Sequence, residues 1–526
     1  MGFYIFLCFI VILECYALHN PSPSSTDLDK ILQHTLRCRN IPGLSVSVVK
    51  RGQIVYAKGY GVKNMKTNEK VSSKTLFGIA SLTKAFTSTL IVKLLEDKQD
   101  IHLNTPIRII LNTSDHLFED ELRSRYATLK DLLAHRLGIP SHNYIRFDDT
   151  LTRENLVSRL RHLKGHGIFR DSFYYSNIMY GLLTYISEKL GGRTWEELVK
   201  EKLFDPLDMT ASSFSTRYSR ITKDVAQGYI DFYGTLHQVP VELSRRWGLL
   251  CGSGCIFSNA IDMAKWMMFH LRGGRNHSGY PVVDDRLLTQ THIPSNHLPT
   301  RHSVRSFNKP YIPYTTSYNS YAMGWKNGFY RGYKTLSHTG TTWGYNSALT
   351  LLPEMDLGIF TVFTGADYDY NYRTSLHNYI ADIYTGEQPW LNITTLCTFP
   401  QPWIHGSSKK SIPSIRKDRK ASRHLSMYVG IYKHPAYGSL IIKNRPGTNQ
   451  LVITYGWSSL ILYPKHSVDE FYGETIGIAA KIINFGIFKF NFNSTTKIID
   501  SVKVPAFERN DPPIFVKHHL EDVGSK

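Results

Sequence analysis

Two strand hairpins stand far apart in the chain, and neither is stable as an isolated pair of strands. In the first, Gly43-Leu-Ser-Val-Ser-Val-Val alternates like a half-buried strand, Lys50-Arg-Gly-Gln turns, and Ile54-Val-Tyr-Ala-Lys-Gly-Tyr-Gly returns. In the second, Ser347-Ala-Leu-Thr-Leu-Leu and Leu357-Gly-Ile-Phe-Thr-Val-Phe face each other across Pro353-Glu-Met-Asp. Helices are predicted over 27–37, 82–95, 128–134, 176–190, 195–203 and 372–384 from their apolar periodicity. The hairpins therefore predict one sheet that joins the ends of a long segment, 27–395. The fold class is mixed α/β (α+β), an antiparallel sheet flanked by helices.

Residues 396–424 are rich in Pro, Ser, Lys and Arg and read as a basic linker. Beyond it, 425–515 carries short strand patterns at Gly438-Ser-Leu-Ile-Ile, Gln450-Leu-Val-Ile-Thr-Tyr, Leu460-Ile-Leu-Tyr and Phe485 to Phe492, the mark of a small C-terminal antiparallel β domain. A tail follows over 516–526. At the other end, the apolar run Phe3 to Leu13 is too short to span a bilayer comfortably, and Cys15-Tyr16-Ala17 is a small-x-small pattern. Residues 1–17 are expected to be a signal peptide and 18–26 a Pro/Ser spacer. The n-region Met1-Gly2 lacks Lys and Arg, so a signal anchor is the alternative.

A secreted glycoprotein is the resulting expectation, with sequons at Asn112, Asn276, Asn392 and Asn493. The mature chain keeps Cys38, Cys251, Cys255 and Cys397, enough for two disulfides with three possible connectivities. The charge of +19 fits a polyanionic extracellular matrix partner or, more plainly, a solvated basic surface. No nucleic-acid module is present to make nucleic acid the partner. His292, His297 and His302 read as surface loop, no metal site is expected, and no cofactor fingerprint is found.

The chemistry concentrates in Phe77-Gly-Ile-Ala-Ser81-Leu-Thr-Lys84. Serine needs a base to become a nucleophile, and Lys84, three residues on, shares its helix face. Burial can strip a lysine of its proton near neutral pH. Other Ser-x-x-Lys pairs fall on the first strand (Ser47/Lys50), in the linker (Ser407/Lys410 and Ser414/Lys417) or on a sequon (Ser494/Lys497), so only Ser81/Lys84 opens an apolar helix. A second element, Tyr175-Ser-Asn177, sits at a loop-to-helix junction that can aim a phenol and an amide into one cleft. A third, His338-Thr339-Gly340-Thr341, is read as an edge strand. Its glycine allows close backbone approach, and the Thr341 N–H can join that of Ser81 as an oxyanion hole.

These three elements, in this order, resemble the motifs of the serine β-lactamase and penicillin-binding-protein superfamily. Flanking blocks agree: Thr128-Leu-Lys-Asp-Leu-Leu-Ala-His-Arg-Leu-Gly-Ile-Pro, Pro206-Leu-Asp-Met-Thr and Tyr321-Ala-Met-Gly-Trp. The resemblance is to the class C branch, including its esterases and D-amino-acid peptidases and its gigasin-like shell-matrix members. It implies the β-lactamase/transpeptidase-like fold, with catalysis by Ser81, Lys84 and Tyr175. It also implies substrate binding by Asn177, His338, Thr339, Gly340 and Thr341, and a small acyl substrate such as an ester, amide or peptide. The third motif usually carries lysine, and His338 in its place would be a weaker, pH-dependent cation, favouring an esterase, amidase or peptidase over an efficient β-lactamase. The alternative is a non-catalytic or weakly active matrix protein that reuses the fold.

Overall fold

The computed structural model describes residues 25–113, 116–220, 224–299, 312–314, 316–367, 370–403 and 416–518. The expected leader, most of the spacer, His302, the middle of the linker and nearly all of the tail lie outside them.

An eight-stranded antiparallel sheet is built from β1 (Gly43–Lys50), β2 (Gln53–Gly61), β3 (Asn296–His297), β4 (Thr316–Tyr321), β5 (Lys326–Tyr330), β6 (Tyr333–Thr342), β7 (Tyr345–Leu352) and β8 (Leu357–Thr364). Their spatial order is β2-β1-β8-β7-β6-β5-β4-β3. The two hairpins meet as the sequence requires, with Leu44 opposite Phe363 and Lys50 opposite Leu357. β8 is buried on both faces, which explains why it is an unbroken apolar run rather than an alternating one. One face packs on α1 (Ser25–Cys38) and α5 (Asn371–Thr385). The other supports the larger core, including α2 (Thr83–Leu95), α3 (Asn177–Gly191) and α4 (Ala260–Leu271). Among the described residues no helix is long and apolar enough to cross a membrane.

The C-terminal strand patterns belong to a closed barrel of eight strands, from Gly430–His434 to Ile514–His518, so the sequence had revealed about half of its staves. The barrel fills its interior with aromatic rings, including Tyr432, Tyr455, Phe485 and Phe515. The linker expected over 396–424 is more structured at its ends than its composition suggests. Its first residues finish a helix, Ile393–Thr398, tied to α1 by the Cys38–Cys397 disulfide. Near its far end Arg423 pairs with Asp469 of the barrel at 3.0 Å.

The barrel is docked on a short turn of the larger unit, Asn143–Phe147. A Cβ on Gly456 would stand 1.7 Å from the Phe147 carbonyl oxygen, so only glycine fits this hairpin tip. Trp457 then stacks on Phe147 at 4.7 Å, and the Tyr455 hydroxyl donates to the Tyr144 carbonyl at 3.0 Å.

Candidate functional site

α2 is buried on nearly all sides, which accounts for its apolar sequence. A tight turn, Ala80–Leu82, precedes it and presents Ser81. Ala80 adopts φ 50°, a left-handed conformation that costs a non-glycine residue roughly 1–2 kcal/mol. Backbone held this way beside a half-buried serine marks a constrained site.

Lys84 is fully buried and has no ion-pair partner among the described residues. Its Nζ lies 3.3 Å from Ser81 Oγ, 2.8 Å from Asn177 Oδ1 and 2.9 Å from the Ser253 carbonyl oxygen. Burial drives its pKa well below the usual lysine range. Ser253 belongs to the tight loop closed by the second disulfide, Cys251–Cys255.

Asn177 opens α3, whose cap is Ser176, accepting from the Met179 N–H at 3.4 Å. The Asn177 side chain is therefore free of capping duty. Its Oδ1 takes the Lys84 contact and its Nδ2 donates to Asn143 Oδ1 at 3.0 Å. The Tyr175 ring lies 4.7 Å from Lys84 Nζ, which puts its phenol beside the Ser81–Lys84 pair. Burial raises the Tyr175 pKa far above neutrality, so it stays a phenol.

The third motif lies on β6. This strand is not an edge strand of the sheet, since β5 and β7 flank it. However, β5 pairs only as far as Ser337, and 338–342 run on with β7 alone, leaving that stretch locally open on one side. Gly340 is required for close approach of the protein's own backbone: a Cβ would fall 2.4 Å from the Ile79 carbonyl oxygen. Thr341 is exposed at this open end, and Thr339 is partly exposed.

His338 departs from expectation. Its Nδ1–H donates to the Thr339 carbonyl at 2.7 Å, so Nε2 accepts from the Tyr321 hydroxyl at 3.0 Å. Burial, then Lys326 and Lys84, holds its pKa well below the normal histidine range. The ring is neutral and fully engaged within the protein, not a pH-dependent cation. His292 is likewise no surface residue, as it meets His270 at 2.9 Å, while His297 is exposed.

Of the sequence-derived site residues, Ser81, Lys84, Tyr175 and Asn177 converge directly. His338 to Thr341 line the adjoining strand, with the His338 ring 6.2 Å from that of Tyr175. The four sequons stand away from them. Asn112 and Asn392 are exposed, whereas the amides of Asn276 and Asn493 donate to Pro206 O at 3.2 Å and Asp500 at 3.4 Å. Sequence reasoning missed Asn143, Ser253 and Arg373, and gave Tyr321 no role although the block that it opens had been noticed. It also missed His135, whose ring packs 4.5 Å from Tyr175, although the block containing it had been noticed.

Several known proteins are similar to this chain. Gigasin-6 of Magallana gigas is 36% identical over 264 residues, covering 50% of this chain and 87% of its own. The unguisins hydrolase ungD' of Aspergillus campestris is 26% identical over 445 residues, covering 80% and 78%. Among solved structures, the octameric penicillin-binding protein homologue from Pyrococcus abyssi superposes with a TM-score of 0.59 at 22% identity, covering 93% of this chain and 99% of that one. A class C beta lactamase from Rhodobacter sphaeroides gives 0.51 at 18%, covering 68% and 98%. These two likenesses establish the fold. The Beta-lactamase family model matches residues 28–381, most of the chain and all three motifs, and the chain therefore belongs to the beta-lactamase family of hydrolases.

Proposed function

We propose that this chain is a secreted serine hydrolase of the class C-like type, acting on esters, amides or peptides through an acyl-enzyme on Ser81. The observation that carries the reading is the set of partners around Lys84. Asn177 Oδ1 and the Ser253 carbonyl can only accept, so a neutral amine gives both its hydrogens to them. The lone pair is then left for the Ser81 hydroxyl proton.

In the step this permits, Ser81 Oγ bonds to the substrate carbonyl carbon while its proton passes to Lys84 Nζ. The Ser81 and Thr341 N–H groups hold the resulting oxyanion. Tyr175, kept as a phenol, relays the proton to the leaving group as the carbonyl–leaving-group bond breaks. Water then attacks the acyl-enzyme by the reverse proton route. Asn177 orients the substrate, and neutral His338 fixes the strand beside it. Without a cation at the third motif, β-lactam turnover is weak. Secretion is supported by the leader-like run Phe3 to Ala17, the paired cysteines and the exposed sequons at Asn112 and Asn392.

The test is a fluorophosphonate probe followed by mass spectrometry. Label confined to Ser81 and absent from Ser81→Ala is the expected result. Folded protein that takes no label would favour the non-catalytic matrix role instead.

A second measurement bears on the Lys84 anchor. The Cys251–Cys255 loop fixes the Ser253 carbonyl, and one hydrogen bond to a group that becomes charged is worth about 1.5–3 kcal/mol. The Cys251→Ala/Cys255→Ala variant is expected to label at least ~10-fold more slowly while keeping its circular dichroism spectrum. Unchanged labelling would remove the loop from the mechanism.

A further inference from the structure

Arg146 shares a turn with Asn143 beside the site and has no counter-charge among the described residues. Its guanidinium carbon stands 4.2 Å from the Trp247 ring centroid and 4.9 Å from that of Trp343. Its Nε is buried without a hydrogen-bond acceptor, and no ion pair forms to it among the described residues. The nearest acid in sequence with a buried side chain, Asp148, is spent on Arg159.

This aromatic box borders the proposed nucleophile. The Trp247 ring packs at Gly254, where a Cβ would lie 3.7 Å from both that ring and the Ala80 backbone. Trp343 follows the third motif by two residues. Arg146 itself shares the Asn143–Phe147 turn with Asn143, the hydrogen-bond partner of Asn177. From behind, the barrel's Trp457 stacks on Phe147 and meets Trp343 at 6.3 Å.

We propose that Arg146, walled by Trp247 and Trp343, is a carboxylate-binding subsite, selecting acyl substrates that carry a carboxylate. A guanidinium packed against ring faces keeps its N–H donors, and such a planar fork can pair bidentately with a carboxylate. Cation–π contact alone leaves those donors unused. Burial pushes the Arg146 pKa down to about 10, so the group remains cationic at neutral pH. The neutral His338 makes this the site's substitute for the cation missing from the third motif.

The inference rests on the proposed hydrolase reading, and its test separates the two. Hydrolysis of the mono-p-nitrophenyl ester of glutaric acid is compared with that of p-nitrophenyl butyrate. The full-length protein is expected to favour the carboxylate ester in kcat/KM by about tenfold or more, and Arg146→Gln to bring that ratio toward one. Arg146→Lys should recover part of it. A binding readout needs no catalysis: in Ser81→Ala protein, glutarate should change tryptophan fluorescence saturably and raise the melting temperature, whereas neutral glutaramide should do neither. If glutarate and glutaramide behave alike, the subsite is refuted, whether or not the Arg146 variants fold. If glutarate binds but Ser81 never labels, the hydrolase reading fails and the anion site stands.

Discussion

Replacing Lys84 by methionine is expected to slow fluorophosphonate labelling of Ser81 by roughly 10²–10⁴-fold, the usual worth of a positioned general base. Methionine fills similar space, so the core around α2 is preserved and the loss reports chemistry. Residues that act as one unit do not lose activity additively, so Ser81→Ala combined with Lys84→Met should be no worse in turnover than Ser81→Ala alone. A Lys84→Met protein that labels at the native rate would remove the lysine from the mechanism and leave only the Tyr175 phenol as a proton-handling group.

The same lysine leaves a signature in stability. Its buried amine binds a proton less tightly than in the unfolded chain, where the usual value is 10.5. Between the folded and unfolded values the unfolded state holds more protons, so native stability rises with pH there and is lost as pH falls through the folded value. Urea midpoints of the native protein relative to Lys84→Met should therefore climb from pH 7 to pH 9.5, a difference in which the other lysines cancel. Lys326, pushed down to about 8 by burial, titrates in the same window but is present in both proteins and cancels in the difference, and the other neighbours do not mask it. His135 and His338 are held neutral by burial, and Tyr175 and Tyr180 stay protonated as phenols. A flat difference would mean that Lys84 is charged in the folded protein, and the hydrogen-bond accounting above would fail with it.

How far the sequence reached can be read from single residues. Ser81, Lys84, Tyr175 and Asn177 were legible because each motif is local and its helix register follows from a few apolar positions. The pairing of the two hairpins was legible because burial on both faces leaves β8 an apolar run. His338 was not, because its charge state depends on Tyr321 and on a backbone carbonyl, neither of which a motif reveals. Arg146 and Arg373 were invisible for a related reason. An arginine in a chain reads as solvated until the rings or carbonyls that enclose it are brought in from distant segments. The barrel was half seen because strands such as Ile514–His518 are too short to stand out before closure pairs them.

Arg373 should prove the most costly of these residues to stability. It is fully buried on α5, and its Nε pairs with Asp367 at 2.6 Å between side chains that are each 1% exposed. Its remaining donors reach the Gly340 carbonyl, the Ser347 carbonyl at 3.1 Å, Thr341 Oγ1 at 3.0 Å and Asn346 Oδ1 at 2.6 Å. The guanidinium thus ties down the stretch of β6 that lacks a partner on its β5 side, the stretch that carries the third motif. Arg373→Met strands a buried carboxylate and several acceptors at once, and removing one partner of such a pair costs about 3–5 kcal/mol. Thermal melting should drop clearly, and labelling of Ser81 should fall with it, because the Thr341 N–H would no longer be held in place. Adding Asp367→Asn should restore part of the melting temperature, since the stranded charge is gone, but little of the labelling, since Gly340 and Thr341 remain unanchored. Recovery of both together would mean that Arg373 serves only to neutralise Asp367; recovery of stability alone identifies it as the residue that positions the strand.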